Sequence, residues 1–180
     1  FGVRVDAADD LSKFRVSGGS YHSTLVQIEG DWSSAAFLLA GTAMAGRKVQ
    51  ILGLDKESLQ ADRYLLQILA RMNAHVNQDS DSVTVEKAEL RPVEVDVSDC
   101  PDLFPAVCAL SAVIDGVSKI TGIRRLRIKE SNRVLAMSLG LKELGIRTVE
   151  SEDSLVIHGG RPRKAILNPH HDHRIAMAFA

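Results

Sequence analysis

The sequence predicts an α/β fold: repeated helix-strand-helix-strand-strand units around a pseudo-threefold axis, with an incomplete third repeat. Two observations carry this. Three segments begin with Asp and run directly into an apolar helical stretch, and behind the first two the same order of turns, strands and helices follows. Alternating helices and strands build α/β layers, and self-similarity at a fixed period marks a repeat architecture.

The three starts are Asp31-Trp-Ser-Ser-Ala-Ala-Phe-Leu-Leu-Ala, Asp102-Leu-Phe-Pro-Ala-Val-Cys-Ala-Leu and Asp172-His-Arg-Ile-Ala-Met-Ala-Phe-Ala. Aspartate is a favoured N-cap, because its carboxylate accepts from the free N–H groups of the first turn. The helices behind are apolar on nearly every side, as helices buried among other elements are. Gly46 to Gly53 then reads as turn, strand and turn, and Gly116 to Gly122 repeats it. Ala61-Asp-Arg63 and Ser131-Asn-Arg133 each open a second, amphipathic helix, with apolar positions Leu65, Leu66, Ile68, Leu69, Met72 in one and Leu135, Met137, Leu141, Leu144 in the other. Two short strands close each unit, most plainly Asp81 to Val85 and Asp153 to Ile157. The repeats therefore run 31–101, 102–171 and 172–180, the last stopping within its first helix. Sheets are expected outside and helices within. Residues 1–29 lie outside the repeat, with strand-like Phe14–Val16 and Leu25–Ile28 flanking a Gly18-Gly19 turn, and read as the tail of a preceding domain.

The composition is that of an ordinary globular protein, with 45% apolar and 25% charged residues and a net charge of −1. No basic field points to nucleic acid or to a membrane surface. No apolar stretch approaches the ~20 residues that span a bilayer, and no signal-peptide pattern is present. Cys100 and Cys108 lack a catalytic motif and read as reduced, buried thiols, so the expected compartment is the cytoplasm.

Three places could hold chemistry. The converging helix starts favour anions through their free N–H groups, and periodicity alone leaves open whether Asp102 is a cap or a functional acid. The densest ionic stretch is Arg124-Arg-Leu-Arg-Ile-Lys-Glu-Ser-Asn-Arg133. Read as a helix, it makes Glu130 and Arg133 i, i+3 neighbours and Lys129 and Arg133 i, i+4 neighbours. One acid among cations serves a phosphate or carboxylate substrate when a proton must also move; a solvated helix start with an ordinary ion pair is the plainer alternative. His170-His-Asp-His-Arg174 is rich in metal-binding types, but zinc sites draw ligands from two separated pairs and no second pair exists. No metal is expected; Arg174, His173 and the helix N-terminus instead form an anion site.

Arg127-Ile-Lys-Glu-Ser-Asn-Arg133 resembles the Arg-x-Lys-Glu-Ser/Thr-Asp-Arg motif of the 5-enolpyruvylshikimate-3-phosphate synthase family, and His171-Asp-His-Arg-Ile-Ala-Met177 resembles its Asn-Asp-His-Arg-x-Ala-Met signature. Asp31-Trp-Ser-Ser-Ala-Ala-Phe37 and Pro101-Asp102 fit at their places in the repeat, so the resemblance covers essentially the whole chain. It implies an enolpyruvyl transferase-like inside-out α/β barrel in two domains, with the active site between them. Residues 1–29 would then be the tail of the inserted domain and 30–180 most of the domain that holds the termini. It also implies transfer of the enolpyruvyl group from phosphoenolpyruvate to the 5-hydroxyl of shikimate 3-phosphate, with release of phosphate and no metal or organic cofactor. The resemblance makes Asp102 the acid at the shikimate hydroxyls, which helps remove the 5-hydroxyl proton. Glu130 moves the proton at the methylene carbon, and Lys129 lies near the shikimate hydroxyl and the leaving phosphate. Arg133 and Arg174 hold phosphoenolpyruvate, and Arg125 and His173 complete the substrate contacts. The parent protein is expected to be a cytoplasmic monomer, and this portion alone inactive, since residues from elsewhere in the family's chain are missing. Three positions depart from the family pattern: Asn132 for Asp, Arg125 for a neutral polar residue and His171 for Asn. The alternatives are a UDP-N-acetylglucosamine 1-carboxyvinyltransferase, with the same fold and donor, and a non-catalytic binding module of that fold.

Overall fold

The computed structural model describes residues 1–180. Its first elements, β1 (Val5–Ala7) and β2 (Phe14–Val16), pair antiparallel with Val5 opposite Val16. Leu25–Ile28, expected as the partner of Phe14–Val16, forms no strand, and Leu25 and Ile28 are exposed. Local turn chemistry decides this. Leu11 closes back on the Ala8 carbonyl at 2.9 Å and Ser12 N–H donates to Asp10 at 3.0 Å, so the Asp-rich turn beats the Gly18-Gly19 one.

The repeat begins at Asp31. Its backbone is extended and its carboxylate accepts from Ser33 N–H at 2.9 Å, which starts α1 (Trp32–Met44) there. β3 (Lys48–Leu52) follows, then a 3₁₀ turn over Ala61–Tyr64 that runs into α2 (Leu65–Arg71). β4 (His75–Gln78) and β5 (Ser82–Glu86) complete a three-stranded antiparallel sheet in the order β3-β5-β4. After β6 (Glu94–Asp96) the second unit repeats the plan: a 3₁₀ turn at Pro101–Leu103, α3 (Phe104–Ala112), β7 (Gly116–Thr121), a 3₁₀ turn at Arg124–Ile128, α4 (Arg133–Glu143), β8 (Arg147–Glu150) and β9 (Ser154–Gly159). Its strands pair in the same order, β7-β9-β8. The third unit supplies α5 (His173–Phe179).

Strand β6 was not anticipated. Val93, Val95 and Val97 are buried while Glu94 and Asp96 point out, a period-2 alternation that is visible in the sequence. It ends the first unit yet pairs parallel with β7 of the second, Asp96 opposite Thr121. Beyond it the chain turns tightly: Val97 N–H donates to Thr121 at 3.0 Å and Cys100 N–H to Val97 at 3.1 Å. Gly122 takes φ +74°, and a Cβ there would meet Ser98 and Asp96 side chains, so only glycine lets β7 leave beside that turn. The result positions Asp102 at the mouth of α3.

Helices lie inside and sheets outside, as predicted. α3 is buried on nearly every side and packs against α1, α4, α5 and strands β7 and β9. α1 is less enclosed, with Leu38 exposed. One cluster of 37 buried residues runs through both units, so they share a core. Cys100 and Cys108 are free and buried; burial pushes the Cys100 thiol up to about 12 and raises Cys108 as well, which disfavours the thiolate of both at neutral pH. No helix is long and apolar enough to cross a membrane.

The entry to α5 is unusual. His170 and His171 take φ of 54° and 58°, the left-handed region, before extended Asp172 caps the helix through Arg174 N–H at 3.0 Å. Asparagine tolerates that region best among residues with a Cβ, which accounts physically for Asn in the family signature where this chain has His171. In a full-length protein carrying this chain, His171→Asn should hold or raise stability, whereas His171→Val should lower it by about 1–2 kcal/mol. Chemical denaturation of the two variants checks this; equal stabilities would rule it out.

Candidate active site

Arg133 is the first residue of α4, behind the N-cap Asn132, whose side chain accepts from Leu135 N–H at 3.1 Å. Its side chain is 0% exposed, and each guanidinium nitrogen meets a carboxylate from a different place in the chain. Nε donates to Asp172 at 2.8 Å, Nη1 to Asp102 at 2.7 Å and Nη2 to Glu130 at 2.8 Å. Asp172 is itself fully buried, accepts from Ser131 at 3.0 Å and caps α5.

Asp102 occupies the place in the repeat where Asp31 and Asp172 cap helices, but it caps nothing. The 3₁₀ turn around it, with Pro at position 101, absorbs the helix start, and its carboxylate is left for cations. Besides Arg133 it receives Arg174 Nη2 at 3.2 Å on its other oxygen, with Lys129 Nζ at 3.8 Å. Arg174 Nη2 also donates to Ser33 Oγ at 3.2 Å, and Ser33 donates to the Asp62 carboxylate. A connected series therefore runs Asp62, Ser33, Arg174, Asp102, Arg133, Asp172. It draws on the starts of all five helices, so the expected convergence of helix N-termini is present.

The Arg-rich stretch is not one helix. Arg124–Ile128 is 3₁₀, Lys129 is extended, and α4 starts only at Arg133. Lys129 and Arg133 are therefore not stacked on one helix face, although Glu130 and Arg133 still meet across the loop. The stretch bends because its other side is held by the β8–β9 turn: Arg127 pairs with Glu150 at 2.6 Å and bonds the carbonyls of Ser151 and Glu152, and Arg124 N–H donates to Asp153 at 2.9 Å. Repulsion among the cations is also less than their spacing implies. Asp102, Glu130 and Asp172 balance Arg133, Arg174 and Lys129 within the cluster.

Five expected site residues, Asp102, Lys129, Glu130, Arg133 and Arg174, come together. Arg125 and His173 do not join them: Arg125 is exposed and donates to the Ser98 carbonyl, and His173 is exposed at the first position of α5. Arg133 is brought in, but as a buried strut each of whose guanidinium nitrogens already donates to a carboxylate. Arg174 bonds within the chain only through Nη2 and its backbone N–H, which leaves Nε and Nη1 for a ligand. Sequence reasoning missed Asp62, Ser33, Ser131 and the pairing role of Asp172. Aligning the repeats would have marked two of them, since Asp62 matches Asn132 and Ser33 matches Arg174. The hollow of about 620 Å³ bounded by Gln27–Gly30, Gly53, Asp55 and Asp81 lies outside the cluster and is acidic.

Charge states follow from surroundings. Burial would lower the Arg133 pKa, but its hydrogen bonds to Asp172 and Asp102 outweigh it and raise it, so the guanidinium stays charged. Burial would raise Asp172, yet Arg133 and Ser131 hold its carboxyl below the usual range. Asp62 goes the other way: burial, with Asp102 and Asp31 nearby, pushes it up against the lowering effect of Ser33 and Arg174.

The family model for EPSP synthase (3-phosphoshikimate 1-carboxyvinyltransferase) matches residues 1–180. The chain belongs to this family. A 3-phosphoshikimate 1-carboxyvinyltransferase of Dehalococcoides mccartyi is 40% identical over 179 residues, 99% of this chain and 42% of the relative. One from Thermococcus kodakarensis is 44% identical over 157 residues, 87% of this chain and 39% of the relative. The structure of EPSP synthase from Acinetobacter baumannii superposes with a TM-score of 0.80 at 28% identity, over 99% of this chain and 44% of that one. The enolpyruvyl transferase NikO from Streptomyces tendae shares the fold, with a TM-score of 0.64 at 18% identity over 98% of this chain and 43% of that one. The chain thus spans about two fifths of the length of its EPSP synthase relatives, and its fold is that of the enolpyruvyl transferases.

Removing Arg133 leaves buried Asp172 without its cation, beside the partly exposed Asp102 and Glu130. Arg133→Met should cost about 3–5 kcal/mol, because breaking a buried pair strands its partners. Asp172, with its folded pKa depressed, supports the fold above the ordinary carboxylate range of ~3.9, and that support is lost as pH falls through its lower folded value. Denaturation of both proteins at pH 7 and pH 3 should show their difference shrinking at the lower pH; an undiminished difference would refute the assignment.

Proposed function

We propose that the full-length protein carrying this chain transfers the enolpyruvyl group of phosphoenolpyruvate to the 5-hydroxyl of shikimate 3-phosphate, releasing phosphate. The observation that carries this reading is the meeting of Asp102, Glu130, Lys129 and Arg174 around buried Arg133 in a chain of this family. The whole enzyme would be a cytoplasmic monomer needing no metal or organic cofactor, in which residues 1–29 end an inserted domain and 30–180 form most of the domain holding the termini.

The reaction needs a proton off the acceptor hydroxyl and a proton on the methylene carbon, then loss of phosphate and return of the double bond. In this reading Asp102 takes the first proton as the 5-hydroxyl oxygen bonds C2 of phosphoenolpyruvate. Glu130, whose side chain is 56% exposed beside the strut, gives a proton to C3 and removes one again as the C2–O bond to phosphate breaks. Arg174 and Lys129 bind the anionic groups, and positively charged donors fixed before substrate arrives stabilise developing charge without reorganising. Arg133 then acts by fixing both acids rather than by holding phosphoenolpyruvate directly. Arg125 and His173 would reach substrate only from outside the cluster.

Glu130→Gln keeps shape and hydrogen bonding but carries no proton. In the full-length enzyme turnover should fall ~100-fold or more, with substrate binding largely kept; an unchanged turnover number removes Glu130 from the mechanism. Phosphate release should occur with shikimate 3-phosphate and not with UDP-N-acetylglucosamine, and the purified 180-residue chain alone should release none. Turnover with the nucleotide sugar would overturn the substrate assignment.

A further inference from the structure

Asp62 has no place in the chemistry above, and its surroundings cost the fold stability. It is 7% exposed, its only side-chain partner is Ser33 Oγ, and two further acids, Asp102 and Asp31, stand near it. A buried acid with one hydrogen-bond partner is unfavourable. Nor does it cap α2, which has no side-chain cap, whereas Asn132 at the matching position of the second unit caps α4. With neither capping nor a full set of partners to account for Asp62, the direction of its one hydrogen bond indicates another role.

Ser33 donates its hydroxyl hydrogen to Asp62, so the lone pairs of Oγ are left to face Arg174 Nη2, which donates to them at 3.2 Å. The same nitrogen forms an ion pair with Asp102 at 3.2 Å. Nη2 is thereby held between the Ser33 hydroxyl and the Asp102 carboxylate, while Nε and Nη1 have no hydrogen-bond partner in the chain and are not buried. Without Asp62 the Ser33 hydrogen is free to point at the arginine, and only the ion pair with Asp102 would hold the group.

We propose that Asp62 is a positioning residue for Arg174: by orienting the Ser33 hydroxyl it presents the free edge of the Arg174 guanidinium to the anionic donor substrate. This rests on the reading of Arg174 as a phosphoenolpyruvate ligand. The residues involved come from all three units, α1 and the 3₁₀ turn before α2 in the first, the Asp102 turn of the second and α5 of the third. Donor binding thus depends on the first unit, which contributes no group to the reacting atoms.

The test is steady-state kinetics on the full-length enzyme with Asp62→Asn, Ser33→Ala and Ser33→Thr. Asparagine keeps size but its amide can donate to Ser33 and reverse the hydroxyl; alanine removes the relay; threonine keeps it. We expect KM for phosphoenolpyruvate to rise about tenfold in Asp62→Asn and Ser33→Ala, with KM for shikimate 3-phosphate within about twofold. Ser33→Thr should restore the wild-type value, and the Asp62→Asn/Ser33→Ala double variant should be no worse than the poorer single one, since both act through one path. If KM for phosphoenolpyruvate stays within twofold, or both KM values rise together as a merely structural defect would make them, the proposal is overturned. A wild-type enzyme that releases no phosphate from the two substrates would instead overturn the functional reading beneath it.

Discussion

Keeping the Arg133 guanidinium out of water is the constraint around which this domain is arranged. A buried cation is tolerable only when every nitrogen has an acceptor and its charge is matched, and no single element of this chain can supply three carboxylates. They come instead from the turn before α3, the loop before α4 and the cap of α5. Meeting at one arginine obliges those helix starts to converge, and convergence in turn sets the distance between Asp102 and Glu130. The acids proposed to move protons are thus located by an electrostatic requirement of folding.

The apolar interior serves the same end. α3 has small residues, Ala106, Cys108 and Ala112, along a helix that is buried almost all round, and neighbours approach it closely. On α4, Gly140 lies so near the Phe179 ring of α5 that a Cβ would overlap it. Close packing brings the polar ends of these helices within hydrogen-bond range of one another, which a looser core would not.

Much of this was legible in the sequence, because the signals were local. Asp31 and Asp172 read as caps and are caps; the succession of helix, strand, helix, strand and strand along each unit is as its turns mark it; the motif residues Asp102, Lys129, Glu130, Arg133 and Arg174 assemble. What escaped was non-local. β6 is three residues long, and its partner is β7, across α3. The bend at Lys129 depends on Glu150 and Asp153, which lie some twenty residues further along. Asp62 looks like an ordinary first-turn acid until the fold brings Ser33 over it. The burial of Arg133 could not be read from spacing, since spacing describes one helix and its acids come from three places.

The placement of β6 has a consequence for where such a domain can be divided. By sequence the first unit ends near residue 101, but its last strand is hydrogen-bonded into the sheet of the second. The unit that repeats in the sequence and the unit that folds are therefore out of phase by one strand. The second copy is completed by a strand of the first, so cutting the chain at the boundary that the repeat marks would strip its sheet of an edge.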